Sequence, residues 1–131
     1  MHALRGRTVH GNGRTWGDPS IILTKTDRRA WEETALCLVG DKVLAYVRSG
    51  RHNVLQYVST DNGQTWAGPT QITEPGQQPG GAFRLESGKL LFTWGNRRAP
   101  FGAAAMLSRD DGRTWDYGQR VSLAWDAPNA N

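Results

Sequence analysis

The chain has 131 residues, six tryptophans, one cysteine and a formal net charge of +4. That length predicts a single domain, and one cysteine excludes an intrachain disulfide. The basic residues are scattered among acids with no run of five like charges, which argues against a nucleic-acid surface. No apolar run reaches signal-peptide length or the ~18 residues of a membrane helix, so no membrane partner is expected. A modest positive charge suits an acidic small-molecule ligand.

Residues 1–16 read as the tail of an element whose beginning is missing, with no strand long enough to pair with its neighbour in the chain. The tail ends in Asn12-Gly13-Arg14-Thr15-Trp16. Next come Gly17-Asp18-Pro19 and a short β-branched strand over 20–25. Strands are predicted over 34–39 and 42–47, joined by Gly40-Asp41, a two-residue turn of the primed hairpin type. Cys37 falls inside the first of these and reads as a small buried hydrophobe. A polar loop over 49–53 precedes a strand over 54–58, and a fourth strand is expected over 70–73 behind Pro69. The same order then recurs: 82–85, a Ser87-Gly88 turn, 89–94, a loop over 96–100, 102–107 and 119–124. The runs 42–47 and 89–94 are almost continuously apolar, as in strands covered on both faces.

The repeat is anchored by an octet that occurs twice, as Ser59-Thr60-Asp61-Asn62-Gly63-Gln64-Thr65-Trp66 and as Ser108-Arg109-Asp110-Asp111-Gly112-Arg113-Thr114-Trp115. The two tryptophans lie 49 residues apart, and Trp16 ends a worn copy 50 residues before Trp66. Chemically the octet is a turn. Its Asp accepts bonds from backbone N–H groups just ahead, its Gly supplies positive φ, Ser59 and Thr65 add hydroxyl bonds, and the Trp buries apolar surface as the chain re-enters the sheet. A fixed period near fifty residues, with four antiparallel strands per period, predicts an all-β fold: a partial β-propeller of about two four-stranded blades. The expected division is the end of a preceding blade (1–25), a blade (32–73), a second blade (80–124) and a linker to a missing one (125–131). Two blades cannot close a ring, so the chain is expected either to belong to a longer protein or to assemble with its own copies.

Antiparallel order puts both octets at one end of the sheets. At the other end stand Glu32 and Glu33 before one strand, Arg48 closing the next with Arg51 and His52 behind it, and Arg97 and Arg98 at the equivalent place of the second repeat. A carboxylate among several guanidiniums suits a small anionic ligand, because Arg grips a carboxylate with two parallel bonds. Plain ion pairing of these arginines with Glu32 or Glu33 is the competing account.

The octets resemble the Asp-box, or BNR, repeat of the sialidase (neuraminidase) superfamily, Ser-x-Asp-x-Gly-x-Thr-Trp, which also occurs in non-sialidase propellers such as sortilin-like receptors. The matching positions are Ser59, Asp61, Gly63, Thr65 and Trp66, and Ser108, Asp110, Gly112, Thr114 and Trp115. Trp31–Arg48 resembles the family hairpin in which a Glu leads a strand and an Arg closes it, with Gly40-Asp41 in place of Asp-Gly. Trp94-Gly95-Asn96-Arg97-Arg98-Ala99-Pro100-Phe101-Gly102 is similar to the family's Gly-x-Arg…Gly segment. The resemblance implies a six-bladed propeller and an exo-glycoside hydrolase that removes terminal sialic acid or a related acidic sugar, with a Tyr nucleophile and no metal or cofactor. It implies that Glu32, or its rival Glu33, activates that Tyr, and that Arg48 and either Arg97 or Arg98 hold the sugar carboxylate. The first arginine and the acid/base Asp would precede residue 1, and the Tyr would follow residue 131. Tyr46, Tyr57 and Tyr117 do not match the nucleophile. This segment alone is therefore expected to be inactive. The alternative is a non-catalytic carbohydrate- or protein-binding propeller.

Overall fold

A computed structural model describes residues 3–10, 12–24 and 32–125. Among these residues the strands are β1 (Ala3–His10), β2 (Thr15–Thr24), β3 (Glu32–Val39), β4 (Lys42–Arg48), β5 (Val54–Ser59), β6 (Ala67–Gln71), β7 (Gln77–Arg84), β8 (Leu90–Asn96), β9 (Gly102–Ser108) and β10 (Val121–Trp125). They form a two-stranded hairpin, β1-β2, and two antiparallel four-stranded sheets, β3-β4-β5-β6 and β7-β8-β9-β10. The fold is all-β, and within each four-stranded sheet consecutive strands are neighbours. Repetition of the octet thus corresponds to repetition of a whole sheet.

Several boundaries depart from expectation. The first residues do pair: β1 runs antiparallel to β2, from Ala3↔Thr24 to His10↔Thr15, so the worn octet is a hairpin turn like its two intact copies. The fourth strand of the first sheet starts at Ala67 and contains Pro69 rather than following it. β7 runs from Gln77 to Arg84 rather than over 82–85, and so contains Pro79-Gly80-Gly81. Both prolines are tolerated because β6 and β7 are edge strands, each with one row of backbone groups free of ladder duty. Gly80 belongs in the strand for a second reason: a Cβ there would stand 2.5 Å from Phe92 Cζ. The turn after β7 is longer than Ser87-Gly88, since the backbone N–H of Leu85 bonds Lys89 O and that of Gly88 bonds Leu85 O. Before β10, a short 3-10 turn, Tyr117–Gln119, takes residues expected to begin the strand. Lys25, Trp31 and the expected linker beyond Trp125 lie outside the described residues.

Two apolar clusters hold the layers. Between the four-stranded sheets, Cys37, Leu44, Tyr46, Val54, Leu90, Phe92, Trp94 and Met106 are buried together, with Trp115 and Tyr117 packed on them. The aromatics meet at an angle, as their quadrupoles favour: Tyr46 and Phe92 centroids are 5.0 Å apart, and Phe92 and Trp115 5.4 Å. On the far face of the first sheet, Ile22 of β2 packs with Ala45, Val47 and Tyr57, beside Trp66. β4 is therefore covered on both faces and Leu44–Val47 is buried without a break. β8 is not: Leu90, Phe92 and Trp94 are buried while Leu91 and Thr93 between them are only half-buried, because a sheet covers one of its faces. Leu36 and Leu38 on β3 are 61% and 73% exposed, and Val121, Leu123 and Trp125 on β10 are exposed as well. Cys37 is buried as expected, and that burial raises its thiol pKa against the opposing pull of Arg84.

Candidate functional site

The octets come first because they orient everything else. In the first, Asp61 accepts the backbone N–H of Gln64 (3.0 Å) and Thr65 (2.8 Å) and the Thr65 hydroxyl (2.5 Å), while Ser59 Oγ accepts the N–H of Gly63 (2.8 Å). The second repeats the set: Asp110 accepts Thr114 N–H (2.9 Å) and the Thr114 hydroxyl (2.6 Å), and Ser108 Oγ accepts Gly112 N–H (2.9 Å). The tip residues share one left-handed geometry, with φ of 58° at Asn62 and 57° at Asp111, each followed by Gly, and 56° at Asn12 of the worn copy. Bonds from the threonine, above all its hydroxyl, hold the Asp61 and Asp110 carboxyls at about 2, well below 3.8. These acids are spent on the turn.

The octet tryptophans do more than close a hairpin. Trp66 donates its indole N–H to Gly63 O (3.1 Å) and to Ser20 Oγ on β2 (3.3 Å). Trp115 donates to Gln56 Oε1 on β5 (3.1 Å), and Gln56 Nε2 donates to Gly112 O (2.8 Å). Each intact octet thus fastens its own sheet to the preceding layer. Trp16 keeps the bond to Gly13 O (3.2 Å) yet is 60% exposed. Sequence reasoning missed Gln56; a lone amide between apolar neighbours in Val54–Val58 is the signal that could have found it.

The strand registers put the charged loops at the opposite end. Val43 pairs with Ser59 and Leu90 with Ser108 at the octet end, whereas Glu32 pairs with Arg48, Arg48 with Val54, and Asn96 with both Gln77 and Gly102 at the other. At that end β3 breaks register between Glu32 and Thr34, and Glu33 takes φ 45°. A glutamate held in the left-handed region is the kind of backbone strain that clusters at functional sites. The bulge lifts Glu33 out of the ladder, where Arg48 Nη1 donates to its Oε2 at 2.6 Å. Arg48 sits at the end of the buried β4 run with its side chain 19% exposed; Glu33 is 50% exposed. Among the described side chains, Glu33 holds Arg48. The Glu32 side chain lies outside the described residues, and its backbone is the ladder partner of Arg48.

Neighbouring loops are stitched into one rim. In the 49–53 loop, Ser49 and Asn53 bond through both backbone and side chains, and His52 N–H bonds Ser49 O at 2.9 Å. Gly76 donates its N–H to His52 O (2.7 Å) and accepts Arg97 N–H on its carbonyl (2.7 Å), joining the loop after β4 to the loop after β8. Gln78 Nε2 donates to His52 Nδ1 at 3.1 Å. Arg97 and Arg98 are both exposed; Arg98 lies over Gly76 and lines a groove with Arg120 at the outer edge of the second sheet. The backbone of Arg97 belongs to the stitched rim, at the same end of the sheets as Arg48. The tyrosines are otherwise occupied: Tyr46 is fully buried, Tyr57 is 5% exposed, and Tyr117 donates to Gln77 Oε1 at 2.8 Å. Among the described residues no group of three or more His, Cys, Asp or Glu side chains could hold a metal, and no helix is long and apolar enough to cross a membrane.

No family model and no curated protein matches this chain. Among solved structures it is similar to a protein of unknown function from Dyadobacter fermentans, with a TM-score of 0.76 at 20% identity over 92% of this chain. The chain spans 33% of that protein's length. At that identity the likeness concerns the fold alone.

Proposed function

We propose that this chain is two consecutive blades, and the outer half of a third, of a sialidase-type β-propeller, and that its Arg48–Arg97 rim binds the carboxylate of an acidic sugar. The observation that carries the reading is the Arg48–Glu33 pair: a guanidinium that holds a carboxylate at 2.6 Å, on a strained bulge, at the end of the sheets opposite the octets. A guanidinium so oriented offers a planar fork matched to a carboxylate. Two octets with the same hydrogen bonds, and a worn third with the same tip geometry, support the propeller. The exposed leucines of β3 and exposed Val121 and Leu123 of β10 support further blades on both sides.

In this reading a longer ring acts as an exo-glycosidase on sialosides, with Glu32 or Glu33 beside the reacting centre. The test is hydrolysis of a fluorogenic sialoside by the ring-forming protein that contains this segment. Arg48→Ala should lower kcat/KM by about 100-fold or more, the loss of roughly 3 kcal/mol of charge-assisted binding. Full activity of the Arg48→Ala, Arg97→Ala double variant would sink the site.

A second reading, a sugar-binding propeller without catalysis, has one observation of its own. The Tyr46 and Tyr57 side chains are buried and the Tyr117 hydroxyl is engaged by Gln77, so each is occupied within the fold. A Tyr at the head of the strand after residue 131 favours the hydrolase, and binding of sialic acid without turnover by the complete ring favours the module.

A further inference from the structure

A groove of about 790 Å³ runs along the outer edge of the second sheet, between β10 and the 96–100 loop. Its walls carry Asn96, Arg98, Pro100, Gly118, Arg120 and Trp125. Among the described residues the lining includes two guanidiniums and no carboxylate. Arg120 is fixed in place: its Cζ lies 4.4 Å from the Tyr117 ring centroid, and Nη1 donates to Tyr117 O at 3.0 Å. Tyr117 is itself held by stacking on Trp94, with centroids 6.1 Å apart, and by its bond to Gln77. The stem of Arg98 rests on Gly76, and Asn96 Nδ2 ties down the loop by donating to Arg98 O (3.1 Å) and Pro100 O (2.6 Å). Trp125 pairs with Gly102, the partner of Asn96, and stands 66% exposed at the end of the groove.

The register fixes which way the groove faces. Asn96, Gly102 and Trp125 are ladder partners two residues along from Trp94 and Ala104, which pack toward the first sheet. Leu123 and Thr93 belong to the cleft on the opposite face. A further sheet stacked on that opposite face would leave the groove open. Neither Arg48 nor Glu33 lines it.

We infer that this groove is a binding site for a sugar acid, with a pyranose ring against the Trp125 indole and its carboxylate on Arg120 and Arg98. The fixed Arg120 guanidinium supplies charge-assisted bonds with little ordering cost, and an exposed indole offers the flat apolar surface that the C–H face of a sugar covers. The volume lies within the range of small-ligand pockets.

The test is an isothermal or NMR titration of the whole chain with trigalacturonate, maltotriose and sodium sulfate as separate probes. Trigalacturonate should bind with a Kd on the order of 1 mM or tighter, neutral maltotriose at least tenfold more weakly, and sulfate should not displace the uronate at equal concentration. Arg120→Ala and Trp125→Ala should each weaken uronate binding by about tenfold. Arg113→Ala, which removes the same charge at the octet end, should leave it unchanged, and thermal unfolding of each variant establishes that it is folded. The inference is overturned if trigalacturonate does not bind, if folded Arg120→Ala and Trp125→Ala bind it as the parent does, or if Arg113→Ala weakens it equally. Equal displacement by sulfate also overturns it, because the site would then be a bare anion site.

Discussion

Replacing Gln56 by leucine cuts a buried polar link between the two four-stranded sheets. The Gln56 side chain is buried, at 4% exposure, and serves Gly112 O and the Trp115 indole N–H at 2.8 and 3.1 Å. Leucine has a similar volume, so packing survives while both partners lose their bond. A buried group stripped of its partner costs about 1–3 kcal/mol. Gly112 is buried and counts in full; Trp115 is half-buried and counts in part. Apolar burial of the leucine returns about 1 kcal/mol, so the net loss is about 1.5–3 kcal/mol. For a domain of this size that lowers Tm by roughly 5–12 °C. Urea unfolding followed by circular dichroism measures it, with an unchanged m-value showing that only stability moved. Trp115→Phe removes the N–H and keeps most of the ring, so the double variant should lose less than the sum of the singles, with a coupling of about 0.5–2 kcal/mol. A loss under about 0.5 kcal/mol for Gln56→Leu, or strict additivity, would refute the linking role.

The same geometry yields other outcomes. Gly112→Ala places a Cβ 2.6 Å from Leu44 Cδ1 at φ 81°, and should destabilise by about 2 kcal/mol or more in the same urea titration. Asp61 and Asp110 are ionised more readily in the folded state, with pKa values near 2 against 3.8. Their contribution is therefore complete above the ordinary carboxyl range and is lost as pH falls through about 2; Asp61→Asn with Asp110→Asn should flatten the acid limb of a Tm-against-pH curve. Thr114→Val deletes the 2.6 Å bond to Asp110 and should raise that carboxyl toward 3.8, read by the carboxyl carbon shift in an NMR titration. Glu33→Gln weakens the pair with Arg48 and should leave stability within about 1 kcal/mol, because the carboxylate is half exposed.

The octet announced its own geometry. Ser, Asp, Gly, Thr and Trp at fixed spacing form a closed set of local hydrogen bonds, so Ser59–Trp66 and Ser108–Trp115 could be read as turns without tertiary knowledge. Strand order was equally legible, because alternating apolar runs and short turns leave few antiparallel arrangements, and that order alone separated the octets from Glu33, Arg48 and Arg97. What sequence could not supply were interactions between residues far apart in the chain. The bulge that sets Glu33 against Arg48 arises where β3 meets β4. The strand at Gln77–Arg84 hides behind Pro79-Gly80-Gly81, whose meaning depends on an edge position and on the Phe92 ring. Gln56 meets Trp115 across 59 residues, and Arg98 finds its wall on Gly76 and beside Gly118 and Arg120. Local hydrogen bonding fixes a turn within eight residues, whereas the contents of a rim or a groove depend on which sheets stack.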